Sequence, residues 1–585
     1  MSGNLFKKKP IFPFVPTLLL CRNCDNRLRF RRTETRTIYT LAIGIFEAHI
    51  RQKYCQFCGA VYSCEALSQM VPSHCCVGFD VLDYVGRALF VECLNEAEIQ
   101  RRLQAKNISI SRRAIGYLGK KFVLYLAIAH RECCHELKQF LSVKGGYILH
   151  LDGTVEGESP HLVTSLDELS GIVLHNMKVP SENTEDIVTF LREIKKLYGL
   201  PLACVHDMGQ GICAAIAIVF PGVLDFICHF HFLRDLGKDL FEKEHANIRR
   251  WLQSYRAKTI FRSAQKELFQ IINQRLEFQE EIAHYMAHHQ QGVPKASLSA
   301  VVKTYLMVAW MLAFKRELKG LGFPFDRQHW LFYQRIKMVI PLAESLKKHL
   351  PKKSAFTQMM RIFSSISRDS ELHNVARKVE EKSAVFDQLR ERMRIALPQT
   401  DQGLNDRGDE TINLREIEQK VKEFRQSKEV IAFTEKDKGY QKMAQQMDKY
   451  WDKLFIDPIE VKTPHGKQWI QPQRTNNAME QFFREEKRKG RKRSGTSSLT
   501  KSFKAMVADT PLIRNLNNPQ YMNILLKGKS SLVERFAQID AALVRQEMEK
   551  HQEEWRDLPK GLKNILKIPD LPQKLFQSLN GLSDN

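Results

Sequence analysis

The order of apolar and amphipathic segments between Gly145 and Cys228 constrains the fold of this chain more than any other feature. Three short β-prone runs come first, then an amphipathic helix, and then strand, helix and strand in alternation. Strands mixed with helices in this way are typical of a mixed sheet flanked by helices. The predicted strands are Tyr147–Leu151, Leu162–Ser165, Ile172–Met177, Leu202–Val205 and Leu224–Cys228, and the helices are Glu182–Tyr198, capped by Ser181, and Gly211–Phe220.

Two aspartates stand at the ends of two predicted strands. Asp152 directly follows Tyr147–Leu151, and Asp207 follows Leu202–Val205 after one intervening residue. Side chains at the carboxyl ends of sheet strands face the crevice where ligands bind, so core packing does not explain them. Two neighbouring carboxylates repel each other unless a divalent cation lies between them, and Mg²⁺ prefers such oxygen ligands. The pair therefore predicts a Mg²⁺ or Mn²⁺ site.

A third acidic residue, Glu480, follows much later in the chain. Thr475 or Asn476 is a favourable N-cap, so Glu480 is expected near the start of a helix. Arg484 lies one turn beyond it and Lys487 two turns beyond, on the same face. Taken alone, Glu480 is interpreted as an exposed helical glutamate. With the two aspartates it completes a carboxylate set for two metal ions, which stabilise the attacking and leaving oxygens during displacement at phosphorus.

Two Cys-x-x-Cys pairs mark the N-terminal segment, Cys21 with Cys24 and Cys55 with Cys58. Each pair has the spacing of a zinc knuckle, and an arginine-rich, β-prone stretch, Arg27–Arg51, lies between them. Strands in that stretch would bring the pairs together, which predicts a zinc ribbon. The separation is longer than usual, and four reduced structural cysteines are the alternative. Further candidate ligands, interpreted mainly as packing residues, are Cys64, His74, Cys75 and Cys76.

Three helical patterns follow in close succession, over residues 81–90, 95–106 and 111–130. Asn95 and Ser111 are favourable N-caps for the second and third. Arg112 and Arg113 open the third helix, at the end that contacts bases and phosphates in helix-turn-helix proteins. The pattern predicts a helix-turn-helix, and a plain three-helix bundle is the alternative.

The net charge points to a polyanionic partner. The chain has 90 Lys and Arg residues against 66 Asp and Glu, a net charge of +24. Such a surplus favours DNA, because each neutralised phosphate releases condensed counterions. A dense basic run lies just after Glu480, and a solvated charge run is its alternative interpretation. The residues predicted to contact the DNA backbone here are Arg484, Lys487, Arg488, Lys489, Arg491, Lys492 and Arg493.

Residues 232–469 are predicted to be helical almost throughout, interrupted by a polar loop at Pro398–Asn413. No apolar run reaches the roughly 18 residues needed to span a bilayer. All 13 cysteines lie at or before Cys228, which does not suit an extracellular disulfide framework. We therefore expect a soluble, intracellular protein. The amphipathic segments are Arg249–Gln290, Ala300–Leu318, Glu371–Ile395 and Ile417–Leu454.

Several of these segments together resemble DDE transposases, whose RNase H-like catalytic core can carry an all-helical insertion, as in Mutator-like, hAT-like and bacterial insertion-sequence families. Leu151–Thr154 resembles the first catalytic block, Val205–Asp207 the second, and Thr475–Glu480 followed by Phe482–Arg484 the third. Cys228-His229-Phe230-His231 matches the C/D-x-x-H signature of such enzymes. His206 before Asp207 matches no single one of these families, so the subfamily stays open.

The resemblance implies a transposase that binds the terminal repeats of its element, cleaves DNA and transfers the freed 3′-OH. Asp152, Asp207 and Glu480 would hold two Mg²⁺ or Mn²⁺ ions, with Cys228 and His231 supporting the site. Zinc is the second expected cofactor. The expected partners are double-stranded DNA, both repeats and target, and further copies of the chain in a homodimer or higher oligomer. The compartment would be the bacterial cytoplasm and nucleoid, or a eukaryotic nucleus.

The expected architecture is multidomain α/β plus α, with a zinc ribbon, a helix-turn-helix and a mixed sheet interrupted by an all-α insertion. Two other functions stay open: a domesticated, transposase-derived DNA-binding protein without catalysis, and an RNase H-like DNA nuclease. The predicted domains are a zinc ribbon (1–78), a helix-turn-helix region (79–143), the first part of the catalytic core (144–240), the insertion (241–470), the second part of the core (471–525) and a helical tail (526–585).

Overall fold

A computed structural model describes the protein over residues 9–288, 298–397 and 413–554, and at 565, 568–573 and 575. Its internal contacts divide the chain into two units. We call residues 1–223, 460–470 and 478–585 the first unit, and residues 224–459 and 471–477 the second unit. Within the described residues, no helix combines the length and hydropathy needed to cross a membrane.

The N-terminal segment is built on a long β-hairpin. Its strands are β1 (Ile11–Phe14), β2 (Arg29–Thr40), β3 (Gly44–Tyr54) and β4 (Val61–Tyr62), followed by helix α1 (Glu65–Met70). β2 and β3 pair antiparallel along their length, β1 joins β3 in parallel and β4 joins it antiparallel. Ile38, Phe46 and Ile50 lie in a small apolar core on one face of the hairpin. The length of the hairpin accounts for the long separation between the two cysteine pairs.

Four helices follow, α2 (Phe79–Phe90), α3 (Glu96–Gln104), α4 (Arg112–Glu132) and α5 (Cys134–Val143). The predicted caps are present: Asn95 accepts the N–H of Glu98 and Ser111 accepts the N–H of Ala114. Every residue of Phe122–His130 is buried, so α4 exposes side chains mainly in its first turns. This second half of α4 is therefore part of the core of the first unit.

The predicted mixed sheet is present, with β5 (Ile148–Thr154), β6 (His161–Asp167), β7 (Val173–Val179), helix α6 (Thr184–Tyr198), β8 (Ala203–His206) and helix α7 (Gln210–Val219). Within the first unit the strands lie in the order β7-β6-β5-β8, with β5 antiparallel to β6 and parallel to β8. The predicted cap of α6 is wrong. Asn183, not Ser181, accepts the N–H of Asp186, because the helix begins two residues later than its apolar spacing suggests.

The second unit is mainly helical. The amphipathic segment Arg249–Gln290 is helical over its described part, and a left-handed residue, Arg256 (φ 51°), separates two of its helices. The predicted loop Pro398–Asn413 lies outside the described residues except for Asn413, which caps a helix.

The described α-helices and the single named strand of the second unit are β9 (Leu224–Ile227), α8 (His229–Ser254), α9 (Ala257–Asn273), α10 (Leu276–His288), α11 (Ala300–Leu312), α12 (Gln328–Leu346), α13 (Ser354–Arg368), α14 (Ser370–Arg392), α15 (Leu414–Arg425), α16 (Lys428–Lys436) and α17 (Lys438–Leu454).

The chain then returns to the first unit through an unexpected hairpin, β10 (Ile459–Thr463) and β11 (Gly466–Ile470), in a region predicted to be helical almost throughout. Its strands are short and mostly exposed, so they lack the apolar alternation that identifies strands in a sequence. The helices that follow are α18 (Asn477–Ser494), α19 (Thr500–Ala505), α20 (Pro519–Leu526), α21 (Leu532–Ala537) and α22 (Ala541–Glu554).

The C-terminal helices complete the core of the first unit. The ring of Phe536, on α21, lies 5.6 Å from that of Phe122 and 5.3 Å from that of Tyr125, both on α4. A buried polar network joins the same elements: the two ring nitrogens of His130 lie 2.9 Å from the hydroxyl groups of Tyr521 and Tyr198. Because a buried polar group without a partner is costly, this network helps to fix the register of α4 against the C-terminal segment.

Candidate functional site

The four N-terminal cysteines converge at one end of the β2–β3 hairpin. The Sγ atoms of Cys21 and Cys58 are 3.4 Å apart, as are those of Cys24 and Cys55. All four Sγ atoms lie within 4.8 Å of one another. Four thiolates at such distances match tetrahedral zinc, whose Zn–S bonds of ~2.3 Å place neighbouring sulfurs just under 4 Å apart. The cluster can therefore hold a metal ion such as zinc.

Hydrogen bonds around Cys21 prepare it for metal binding. The hydroxyl of Tyr62 lies 3.2 Å from its Sγ, and the backbone N–H of Asn23 donates to the same sulfur at 3.4 Å. The Tyr62 contact is the largest of the causes that lower the pKa of Cys21 to about 6. A lowered thiol pKa favours the thiolate, which is the form that ligates metal.

The structure brings the two predicted aspartates to the same end of neighbouring strands. β5 and β8 run parallel, and Leu151 opposite His206 is the last pair between them, so Asp152 and Asp207 are the residues that directly follow this pair. β5 does not end at Leu151 as predicted, because pairing with β6 continues through Asp152 to Thr154. Both side chains are half-buried. The N–H of Gly153 donates to Asp152 at 2.8 Å, and the N–H of Gly209 donates to Asp207 at 3.2 Å. Both carboxylates are thus held at the edge of the sheet by local backbone donors.

Electrostatics show which other carboxylates lie close to Asp152. Burial raises the pKa of Asp152 well above its usual value, and the charge of Asp207 is the next cause; Glu182 and Glu480 raise it further. Glu480, in the first turn of α18, is therefore close enough for its charge to act on Asp152, and we call Asp152, Asp207, Glu182 and Glu480 the acidic cluster. Among the described residues the acids do not form a set gathered within 4.8 Å, as the four cysteines do. No ion pair of Asp152 with a lysine or arginine is found in the described part of the chain.

Glu182 is a member of this acidic cluster that the sequence did not reveal. Its Oε1 lies 2.8 Å from Nδ1 of His161. A β carbon on Gly153 would lie only 2.2 Å from the same oxygen, so the carboxylate rests against the backbone next to Asp152. In the sequence Glu182 follows Ser181 in what is predicted to be the first turn of a helix, where acidic residues are common. Only the pairing of β5 with β6 and the path of the chain into α6 place it here.

Helix α18 is attached to the loop that follows β5. Lys487 donates to the carbonyl oxygen of Val155 at 3.2 Å and lies 3.4 Å from the carboxylate of Glu156. Arg491, one turn later, lies 3.6 Å from the same carboxylate. Two residues predicted to contact DNA therefore also bind this loop. Since Asp152 lies near the end of β5 and Glu480 in the first turn of α18, these contacts help to position the two acids relative to each other.

The other basic residues of α18 that were predicted to contact DNA fall into two groups. Lys489 pairs with Glu486 at 3.0 Å, and the guanidinium of Arg493 lies 5.0 Å from the centre of the Phe90 ring. Burial lowers the pKa of Arg493, consistent with a packed rather than solvated guanidinium. The side chains of the second group are exposed and free to meet a phosphate backbone; they are Arg484, Arg488 and Lys492.

Arg112 and Arg113 are both exposed at the N-terminus of α4. Ser111 caps the helix, so the first turn of α4 also presents backbone N–H groups to solvent. The position suits contact with an anion, as predicted for the first turn of a recognition helix.

Cys228 and His231 lie at the start of α8, in the second unit, and both are buried. The N–H of Asn476 donates to Sγ of Cys228 at 3.2 Å, and the N–H of His229 donates to the carbonyl oxygen of Arg474 at 2.8 Å. These bonds fix the segment that leads into α18. Cys228 thus contacts the segment that precedes α18.

No protein-family model and no curated protein matches the chain.

Proposed function

We propose that this protein is a metal-dependent DNA strand transferase of the DDE transposase type. The observation that carries the proposal is the surroundings of Asp152, a half-buried carboxyl group on which the charges of Asp207 and Glu480 act. These residues come from two neighbouring strands of the sheet and a helix distant in the sequence. Like charges at the edge of a sheet destabilise one another, so packing of the core does not explain why these carboxylates lie together.

Divalent cations would remove this repulsion. Asp152, Asp207 and Glu480 offer the carboxylate oxygens that Mg²⁺ and Mn²⁺ prefer, and a bound metal pair supplies charge stabilisation at the attacking and leaving oxygens of a phosphodiester. The chain's own part is to hold the three carboxylates in place. The backbone N–H groups of Gly153 and Gly209 orient the aspartates, and Lys487 links the Glu480 helix to the loop after β5.

DNA contact is supported by exposed cations on two helices. Arg484, Arg488 and Lys492 lie on α18 beyond Glu480, and Arg112 and Arg113 lie at the start of α4. With a net charge of +24, these side chains favour a duplex phosphate backbone. The zinc cluster would act as a structural brace for the N-terminal hairpin, whose β2 strand exposes further arginines. In this proposal both N-terminal modules bind the element's ends, and copies of the chain assemble on them.

The test is strand cleavage of duplexes that carry the repeats flanking the gene, in Mg²⁺ or Mn²⁺. Asp152→Ala, Asp207→Ala and Glu480→Ala should each abolish cutting while end binding, measured by fluorescence anisotropy, stays within about twofold of the parent. Glu485→Ala is the matched control, because Glu485 is an exposed glutamate on the same helix. Cleavage by Glu480→Ala at the rate of Glu485→Ala would overturn the proposal.

A further inference from the structure

A pair of reactive side chains lies outside the sites described so far, where the loop after α1 meets α4. Lys121, on α4, donates a hydrogen bond from Nζ to Sγ of Cys75 at 3.1 Å. Both side chains are half-buried. The amine and the thiol are both nucleophiles, and they are in direct contact. A bond between them can form once the sulfur is made electrophilic.

The pair lines a surface cavity of about 280 Å³. His74 and Cys76 on the loop and Tyr117 on α4 also line it, and the ring centre of Tyr117 lies 5.1 Å from Nζ of Lys121. A water molecule occupies ~30 Å³, so a small oxidant such as hydrogen peroxide has ample room beside the sulfur. The cavity thus gives access to a thiol that is otherwise shielded.

Backbone contacts hold the loop in place. The N–H of Cys75 donates to the carbonyl oxygen of Pro72 at 3.0 Å, and the carbonyl oxygen of Cys76 accepts from Tyr39 on β2 at 2.8 Å. His74 adopts a left-handed conformation (φ 59°), which tightens the turn before Cys75. The sulfur is therefore held next to α4.

We propose that Cys75 and Lys121 form a covalent link when the protein meets hydrogen peroxide. In the first step the thiolate attacks peroxide: an S–O bond forms, the O–O bond breaks and hydroxide leaves, so the sulfur becomes a sulfenic acid. In the second step the neutral amine of Lys121, having lost a proton to solvent, attacks that sulfur. An S–N bond forms, the S–O bond breaks, and the hydroxyl leaves as water with a proton from the amine.

The overall reaction balances: one thiol, one amine and one peroxide give one sulfenamide and two waters. The link joins the loop to α4 and is reversible by thiols, as oxidations at this level are. It depends only on the contact between Cys75 and Lys121, so it does not rest on the proposed DNA chemistry.

The chain offers matched controls for each step. Lys121→Arg keeps the positive charge but removes the nucleophilic amine. Cys75→Ser removes the sulfur. Cys76→Ser removes the neighbouring exposed thiol, which no lysine amine contacts among the described residues. The experiment treats the full-length protein with hydrogen peroxide and maps linked peptides by mass spectrometry, with dimedone added in parallel to trap sulfenic acid.

We expect a peptide pair joined through Cys75 and Lys121, lighter by two hydrogen atoms than the sum of its parts, in the parent and in Cys76→Ser. It should be absent from Cys75→Ser and Lys121→Arg, and dithiothreitol should release it. Dimedone capture at Cys75 should rise severalfold in Lys121→Arg, because the sulfenic acid is no longer consumed. Equal capture in parent and Lys121→Arg, a disulfide between Cys75 and Cys76, or an unoxidised Cys75 would each overturn the proposal.

Discussion

Replacement of Gly153 by alanine tests the packing of the acidic cluster most directly. A β carbon there would lie 2.2 Å from Oε1 and 2.7 Å from Cδ of Glu182, whereas ordinary van der Waals distances begin at 3.4 Å. The Glu182 carboxylate would therefore have to move by about 1 Å and give up its 2.8 Å hydrogen bond with His161. Because the clashing atoms are the far end of a flexible, partly exposed side chain, the main loss is its hydrogen bond, and we predict that Gly153→Ala lowers the free energy of unfolding by about 1.5 kcal/mol.

Because a single steric clash causes the predicted destabilisation, removal of the clashing side chain should relieve it. In a Glu182→Ala background, Gly153→Ala should cost less than about 0.5 kcal/mol, so the double-mutant cycle should show a coupling of about 1 kcal/mol or more. Gly116→Ala is the control. Gly116 lies inside α4 with no atom within 4 Å of the added carbon, so this change should stabilise the protein by roughly 0.5–1 kcal/mol.

The assay is urea denaturation of the parent and the four variants, followed by circular dichroism. The free energies of unfolding can be compared directly when the variants have the same m-value as the parent. Equal destabilisation by Gly153→Ala with and without Glu182 would refute the reasoning, because the cost would then arise from the backbone of β5 and not from the carboxylate.

Three other perturbations test the four-cysteine cluster, a half-buried carboxyl group and the basic helix. Cys58→Ser should lower bound zinc below one ion per chain, measured by atomic emission, because a tetrahedral structural site needs all four ligands. Burial raises the pKa of Asp509 from 3.8 to about 6. The folded state thus holds that proton more tightly, so the free energy of unfolding should fall as the pH rises from about 4 to about 6, and Asp509→Asn should flatten that fall in denaturant titrations. Arg488→Gln combined with Lys492→Gln should weaken binding to all duplex sequences about equally and reduce the salt slope by roughly one for each phosphate that is no longer neutralised, measured by anisotropy; weakening confined to one sequence would contradict binding to the phosphate backbone.

Features encoded by neighbouring residues were predicted well. Asn95 and Ser111 cap the helices they were expected to cap, because a cap depends on a side chain and an N–H three residues apart. The strands before Asp152 and Asp207 are present, because their apolar runs are strong local signals. The end predicted for the first of them at Leu151 is wrong, because pairing with β6 extends β5 to Thr154. The cap of α6 was predicted wrongly because Ser181 and Asn183 are both favourable cap residues, and neighbouring residues alone do not distinguish them.

Features that depend on distant residues were missed or wrong. The hairpin β10–β11 has little apolar pattern of its own, and the left-handed residue Arg256 interrupts an otherwise continuous amphipathic segment. Glu156 gave no signal in the sequence, yet it binds two cations of α18. Lys487 and Arg491 therefore have an internal partner that the basic run alone did not reveal.

Local sequence encodes the available chemistry: four thiols in two close pairs, acids that follow apolar runs, and a dense basic run on a helix. Each of these signals depends on residues that are close together in the chain. Which of the groups come near one another depends on the tertiary structure, because the energy that brings Glu182 and Glu480 towards Asp152 comes from the burial of apolar faces contributed by strands and helices far apart in the chain.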